Sequence, residues 1–580
     1  MKLIKNIILL CSAAFITNSC QQGLLDTNPY QAMGSGQMWT NESLADMGVN
    51  AIYNTFRYDR IGRRIYMYDA LANVSQNRDG EALLQGTATT GADLFSGYWK
   101  EHYEGVSRAN DAITNLPEKA PLSAEKMGRL VAESKFLRAF FYYRLNEVFK
   151  GVPIYTTPTS VSEYTLGRET EAKVWEFIIS DLTDCINEPN FPDRYVKGNS
   201  LYGRATKGAA YALRGKAYMW LKEWAKAEAD FKKVGEAGYK LFEGSYSDLF
   251  KEANEQCEEM ILTVQNIGVV NCGSDTQKAL GTRSSYGSGW NTFCPNPDHV
   301  DSYANIDGSP FNWDDIIPGY NLMKPNDRVV FFLRDNMTDA EKGKINSPEM
   351  SQYLPEGNEA RIMKAYENRD PRLKMTIITP YSTYRGVLSG KENTVTLRHP
   401  YRTDNLPEQD LQLASSGKYY YLYRKFVYEG LDETPSRDYG PIDQPIIRYA
   451  DVLLLQAEAL NEQGKTAEAI ECVNKVRARA GVALLNSNQY TQVAGQDNMR
   501  ERIRNERRWE LNCEGVLLFD EMRWRTWENT FKPTNGTKEI WGGIYKSCAA
   551  WKGDYMYAWP IPLKECQMNT NLIQNDGWTN

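Results

Sequence analysis

The stretch TKGAAYALRGKAYMWLKEWAKAEADFKKV, residues 206–234, constrains the fold more than any other part of the chain. Its apolar positions recur at the spacing of one helix face, pause at Lys222-Glu223, and then resume. Gly215 and Ala227 are small where two antiparallel helices must touch, and Tyr218 and Phe231 fill the space beside them. A hairpin of this kind cannot bury its apolar face alone, so it must stack on neighbours.

Tyr211, Gly215, Tyr218, Ala227 and Phe231 also stand at the offsets of a tetratricopeptide (TPR) unit. Residues 449–481, YADVLLLQAEALNEQGKTAEAIECVNKVRARAG, repeat those offsets with Ala457, Leu460 and Ala469. Gly464 marks the turn there and Gly481 the helix stop. A third helix, 131–149, is apolar on most sides, ends at Lys150-Gly151 before Pro153, and takes 169–186 as its partner. An earlier pair spans 40–57 and 92–115. The expected fold is mainly α, with TPR-like helical hairpins within 40–250 and 446–530 forming a scaffold. Long irregular stretches separate the hairpins, so a simple solenoid is not expected. From about 265 to 445 the helical period fails and Gly, Asn, Pro, Ser and Tyr are plentiful. This reads as a large irregular, loop-rich region packed on the scaffold, and loops of that length are often functional.

The first residues have the parts of an export signal. Lys2 and Lys5 give a positive end, and Ile7 to Ile16 form an apolar core broken only by Ser12. That core is shorter than the roughly 20 residues a membrane span needs. Ser19 before Cys20 predicts a lipoprotein signal over 1–19, with the Cys20 thiol acylated. Thr17 stands where Leu is usual, and an ordinary secretory signal is the alternative reading. Removing Lys2 and Lys5 leaves 65 basic against 74 acidic side chains, a formal charge of -9. That balance argues against nucleic acid as a partner, which needs a basic face.

Catalytic and metal-binding motifs mostly fail. The three histidines, His102, His299 and His399, make no HExxH, and no CxxC pair or GxSxG elbow occurs, so no metal or other cofactor is expected. Among the cysteines, Cys185, Cys472 and Cys513 lie in helical patterns and read as buried thiols. ALNEQGKT, Ala459 to Thr466, imitates a phosphate loop but follows a helix rather than a strand, so Gly464 is an inter-helix turn. RNERRWELNCEG, 504–515, carries Arg and Glu at helical spacing and reads as ion pairs between packed helices. A glycosidase carboxylate pair is defined by separation in space, so nothing in the sequence singles one out. Tyr and Trp are frequent, at 36 and 14, and supply flat apolar faces with a polar tip that suit wet clefts and sugar binding.

Several stretches jointly carry a resemblance to one family. They are SCQQGLLDTNP at the start, FLRAFFYYRLNEVFKGVPIYT at 136–156, RATKGAAYALRGKAYMWLKEWAKA at 204–227, NRDPRLKMTI at 368–377 and KYYYLYRKFV at 418–427. IIRYADVLLLQAEALNEQGKTAEAIECVNKVRARAG at 446–481, IRNERRWELNCEGVLLFDEMRW at 503–524 and YMYAWPIPLKECQMNTNLIQNDGW at 555–578 complete the series. In this order the chain resembles the SusD/RagB outer-membrane lipoproteins of Bacteroidetes. The resemblance implies one such domain over 20–580, with four TPR-like helical pairs carrying an irregular ligand-binding half. It implies a lipid anchor in the outer membrane, no enzymatic step, and a SusC-like TonB-dependent transporter as partner, which the protein caps like a lid. The captured ligand would be an oligosaccharide, or a peptide as in the RagB branch. Acidic residues common after the cysteine in surface-exposed members are replaced here by Gln21, Gln22 and Gly23. A surface glycoside hydrolase and a scaffold that only seals the transporter are competing readings.

The family builds its ligand face from loops between the first helices and from the irregular region. The matching candidates are Arg78 and Asp79 in NVSQNRDGE, Tyr286 and Trp290 in SSYGSGWNTF, and Trp313 in SPFNWDD. Trp290 sits among Gly and Ser, where little side-chain bulk could cover it. Trp99 in FSGYWKEHY reads as helix packing.

Overall fold

A computed structural model describes residues 35–345, 347–402, 409–414, 417–431 and 436–579; Cys20 and the signal segment lie outside the described residues. The longer helices are α1 (Glu42–Tyr53), α2 (Asp93–Lys119), α3 (Ala124–Phe149), α4 (Glu171–Asn187), α5 (Lys207–Trp220), α6 (Trp224–Glu236), α7 (Asn358–Glu367), α8 (Tyr449–Glu462), α9 (Thr466–Ala480), α10 (Gln496–Glu510) and α11 (Leu517–Trp524). The longer strands are β1 (Ser75–Asn77), β2 (Met260–Val264), β3 (Phe293–Pro295), β4 (Thr383–Leu388), β5 (Lys391–Thr396), β6 (Gln444–Arg448), β7 (Gly536–Lys538) and β8 (Ile544–Ser547).

The fold is mainly α, and all four expected helical pairs pack: α1 with α2, α3 with α4, α5 with α6 and α8 with α9. Gly464 and Gly481 end α8 and α9 in the left-handed region, at φ 79° and 73°. α3 starts at Ala124, earlier than its apolar run, because the Ser123 hydroxyl accepts the Lys126 N–H at 3.2 Å. The helices do not stop at pairs. α2 packs on α3, α4 on α5, and α6 on α8, although residues 237–448 separate the last two in the chain. The hairpins are broken in sequence, as expected, yet in space they form a continuous stack. The reason is burial: α8 is apolar on several faces, with Val452, Leu453, Leu454 and Leu455 all buried, and needs cover on both sides.

Close approach within a hairpin rests on small residues. A Cβ on Gly215 would stand 2.5 Å from the Phe231 ring. Gly215→Val is therefore expected to force α5 and α6 apart and lower stability by about 1–3 kcal/mol, the usual cost of overpacking. Urea unfolding checks this, and an unchanged midpoint would show that Phe231 can swing clear.

The irregular half is more than loops laid over the helices. It holds its own aromatic core, with Trp313, Tyr320, Phe331, Phe332, Tyr366 and Trp541 buried together. Short antiparallel ladders tie it to the scaffold. β1, from the early helical region, pairs with β3, Ser75 opposite Pro295. β2 pairs with β6, which runs directly into α8. Cys185, Cys472 and Cys513 are buried thiols, but Cys513 is not helical. α10 ends at Glu510, and Cys513 turns the chain with φ 68°.

A buried ion network fastens α9 and α10 to the strands and turns around them. Arg448, at the end of β6, meets Glu259 at 2.8 Å, Glu510 at 2.6 Å and Glu514 at 2.7 Å. Arg372 meets Asp370 at 2.6 Å, Glu506 at 2.7 Å and Glu510 at 2.9 Å. Lys425 pairs with Glu514, Arg477 with Glu506, and Arg479 with both Glu259 and Glu510. Arg507 bridges Asp451 and Asp520, and Arg508 meets Glu521. The charged run 504–515 thus forms ion pairs, and they reach beyond neighbouring helices into the irregular half.

Candidate functional site

The loop after Ala279 is built to hold a ring outward. The Trp290 N–H donates to the Lys278 carbonyl at 2.7 Å, Asn291 to Gly281 at 2.8 Å, and Thr292 to Ala279 at 2.7 Å. The returning limb thus runs along the outgoing one. The two limbs approach so closely that a Cβ on Gly289 would stand 2.3 Å from the Gly281 carbonyl oxygen. Only glycine fits there, and Trp290 follows at the edge with 40 % of its surface exposed. For a tryptophan that is a large open face.

Two cations flank the indole. The Lys278 ammonium lies 4.7 Å from the ring centroid, and the Arg437 guanidinium carbon lies 5.3 Å away. Lys278 is itself paired with Asp438 at 2.7 Å, a hydrogen bond that holds the Asp438 carboxyl below its ordinary range. Arg437 donates to the carbonyls of Ser288 at 2.7 Å and Gly287 at 3.1 Å, so it braces the turn before the ring.

Arg78 and Asp79 follow β1 and reach the same loop. The Arg78 guanidinium donates to the Trp290 carbonyl at 2.8 Å and to the Ala414 carbonyl, and lies 3.6 Å from the Asp79 carboxylate. Its donors go to backbone, which fits a residue that positions Trp290. The Asp79 side chain is open to solvent. Tyr286 is half-buried in the wall of an adjoining cleft of about 670 Å³, with Arg283, Ser288, Leu388, Gln409 and Gln412. Tyr401 stands beside that cleft and accepts a hydrogen bond from Gln412 at 2.6 Å.

Trp313 does not belong to this face, contrary to expectation. Only 5 % of it is exposed. Tyr320 stacks on it at 4.6 Å, Phe311, Phe332 and Tyr366 close its edges, and its indole N–H donates to Asp301 at 2.9 Å. Its neighbours Pro310, Asn312 and Asp314 look like loop in sequence, but the segment folds inward as the plug of the irregular half's core. Four of the five expected residues, Arg78, Asp79, Tyr286 and Trp290, do converge. Sequence reasoning missed Lys278, Arg283, Gln412 and Arg437. Arg437 carries no local signal, because its approach to Trp290 is made only by folding.

A smaller cavity lies elsewhere. It has about 60 Å³ among α3, α5 and α11, is lined by Arg144, Glu147 and Lys216, and has room for water rather than a ligand. The Trp290 face and its cleft instead offer an aromatic plane, amides, hydroxyls and guanidinium donors in the open. Such a set can hold a polar ring by stacking and hydrogen bonding.

The chain matches two family models. One, described as "SusD family", covers residues 259–578, and the other, "Starch-binding associating with outer membrane", covers 24–219. SusD-like protein P38 of Formosa agariphila is 24 % identical over 569 residues, covering 93 % of this chain and 96 % of that protein. Starch-binding protein SusD of Bacteroides thetaiotaomicron is 25 % identical over 470 residues, 77 % of this chain and 72 % of its own length. Among solved structures, a SusD-like protein of Bacteroides fragilis shares the fold with a TM-score of 0.72 at 21 % identity, covering 95 % of this chain and 100 % of its own. A laminarin-binding SusD-like protein does so with a TM-score of 0.58 at 22 % identity, with 93 % and 100 % covered.

Proposed function

Since the chain belongs to the SusD family, we propose that it captures glycans at the outer membrane by binding them without chemical conversion. The observation that carries this reading is Trp290, an open indole on a braced loop beside a cleft of polar side chains. Sugars stack their C–H faces on such planes and satisfy their hydroxyls on the surrounding donors and acceptors. The names of two relatives, one starch-binding and one laminarin-binding, favour the same class. In this reading Cys20 anchors the protein by its acylated thiol, and a SusC-like TonB-dependent barrel lies beneath it. The protein acts as that barrel's lid.

Native gels cast with a panel of neutral and acidic polysaccharides test the capture. Retarded migration in at least one, with the glycan recovered intact, is the expected result. Shortened glycan products would instead establish a hydrolase, and binding to mixed peptides but to no glycan would favour the RagB-like reading. Cys20→Ala is expected to shift the protein from the membrane to the soluble fraction or to block its processing, because a lipoprotein terminus holds by several acyl chains. Fractionation of cells checks this; a membrane share that stays unchanged in a strain lacking the barrel would refute the anchor. Co-purification with the barrel in mild detergent tests the partnership.

A further inference from the structure

The chain as a whole is acidic, with 67 Lys plus Arg against 74 Asp plus Glu. Among the described residues, the face around Trp290 has the opposite balance. Arg78, Lys278, Arg283 and Arg437 gather there against Asp79 and Asp438. Those two carboxylates are taken up by Arg78 and Lys278. Arg437 spends its guanidinium on the carbonyls of Gly287 and Ser288, which are neutral partners. Arg283 goes further. Its backbone N–H is held by the Gln412 carbonyl at 3.1 Å, which fixes the residue in the cleft wall, while its side chain makes no ion pair or hydrogen bond among the described residues. Arg385 behaves differently: it stands on the strand whose Val387 N–H donates to the Ser284 carbonyl, and it is paired with Glu392. A guanidinium in the cleft wall, unpaired among the described residues and beside a ring flanked by two further cations, favours an anion over a neutral occupant.

We propose that the glycan captured at this site is anionic, a polysaccharide bearing uronate carboxylates or sulfate esters, with a sugar ring on Trp290 and its anionic group on Arg283. The proposal rests on the glycan-capture reading above and narrows its substrate class. A planar guanidinium meets either oxyanion with two parallel N–H donors, which a neutral hydroxyl cannot reciprocate.

The test uses the full protein and matched probes. Polygalacturonate and alginate carry carboxylates, and carrageenan carries sulfate esters. Each is compared with its carboxyl-reduced or desulfated form by calorimetry at low and high salt, beside neutral glucans. The expected result is that at least one charged form binds roughly tenfold or more tightly than its neutral counterpart, with the preference shrinking as salt rises. Loss on carboxyl reduction identifies a uronate, and loss on desulfation a sulfate ester. Arg283→Ala should abolish the preference and Arg283→Lys should keep part of it, both with an unchanged thermal midpoint, since the guanidinium holds nothing among the described residues. Binding to neutral glucans alone, equal binding to charged and neutral forms, or a charge preference that survives Arg283→Ala overturns the proposal while glycan capture stands. Binding to no glycan removes the capture reading and the proposal with it.

Discussion

Replacing Arg448 with Met is expected to cost about 3–5 kcal/mol of stability at pH 7. Arg448 is fully buried and answers three carboxylates, those of Glu259, Glu510 and Glu514. The surrounding network balances five cations, Arg372, Lys425, Arg448, Arg477 and Arg479, against five carboxylates, Glu259, Asp370, Glu506, Glu510 and Glu514. Met fills much of the arginine's volume, so the loss reflects a carboxylate left without its cation rather than a cavity. The pH dependence gives a second readout. Burial pushes the Glu510 carboxyl up, but Arg479, Arg448 and Arg372 outweigh it and hold the group well below the usual carboxylate range. A depressed carboxyl contributes stability that is present above its unfolded pKa of about 4.3 and fades as pH falls toward its native value. The gap between wild type and Arg448→Met should therefore be widest near neutrality and narrow below about pH 4. Urea unfolding at several pH values measures it. A gap that widens on acidification would mean that the carboxylates are not what Arg448 stabilises.

Trp290→Ala is expected to weaken glycan binding roughly tenfold to a hundredfold. Loss of a stacking aromatic costs about 1–3 kcal/mol against nucleic-acid bases, which sets the scale for sugar rings. Stability should fall far less than for a buried ring. The ring is 40 % exposed, and the backbone hydrogen bonds to Lys278 and from Arg78 survive the substitution. What goes is the contact with Lys278 and Arg437, each about 0.5–1 kcal/mol at an exposed site. Trp313→Ala is the informative contrast. That ring is buried under Tyr320, and its removal should cost about 3–5 kcal/mol of stability. Paired measurement of affinity and thermal midpoint for both variants separates the two roles. A large fall in midpoint for Trp290→Ala would make that ring core and move the platform to Tyr286 or Tyr401.

Much of the scaffold was legible because helix formation is local. The spacing of Tyr211, Gly215 and Tyr218, the break at Lys222-Glu223 and the stops at Gly464 and Gly481 all depend on residues a few positions apart. The ion-pair character of 504–515 was legible for the same reason. The partners in those pairs were not, since Arg372 and Arg448 come from distant segments. The site shows the same division. That Trp290 would sit in a turn follows from its Gly and Ser neighbours, but Trp313 has a similar setting and lies buried. Local composition cannot tell whether another segment will cover a ring.

By itself, then, the sequence determined the helical hairpins, the irregular character of the middle region and the turn that carries Trp290, each a matter of short-range periodicity and backbone freedom. Tertiary structure alone decided that α6 would pack on α8 across the intervening chain, that Trp313 would be enclosed by Phe332 and Tyr366, and that Arg437 would join Lys278 at Trp290. Those outcomes turn on which apolar faces and charges find each other at long range, where burial and charge compensation, rather than local propensity, set the free energy.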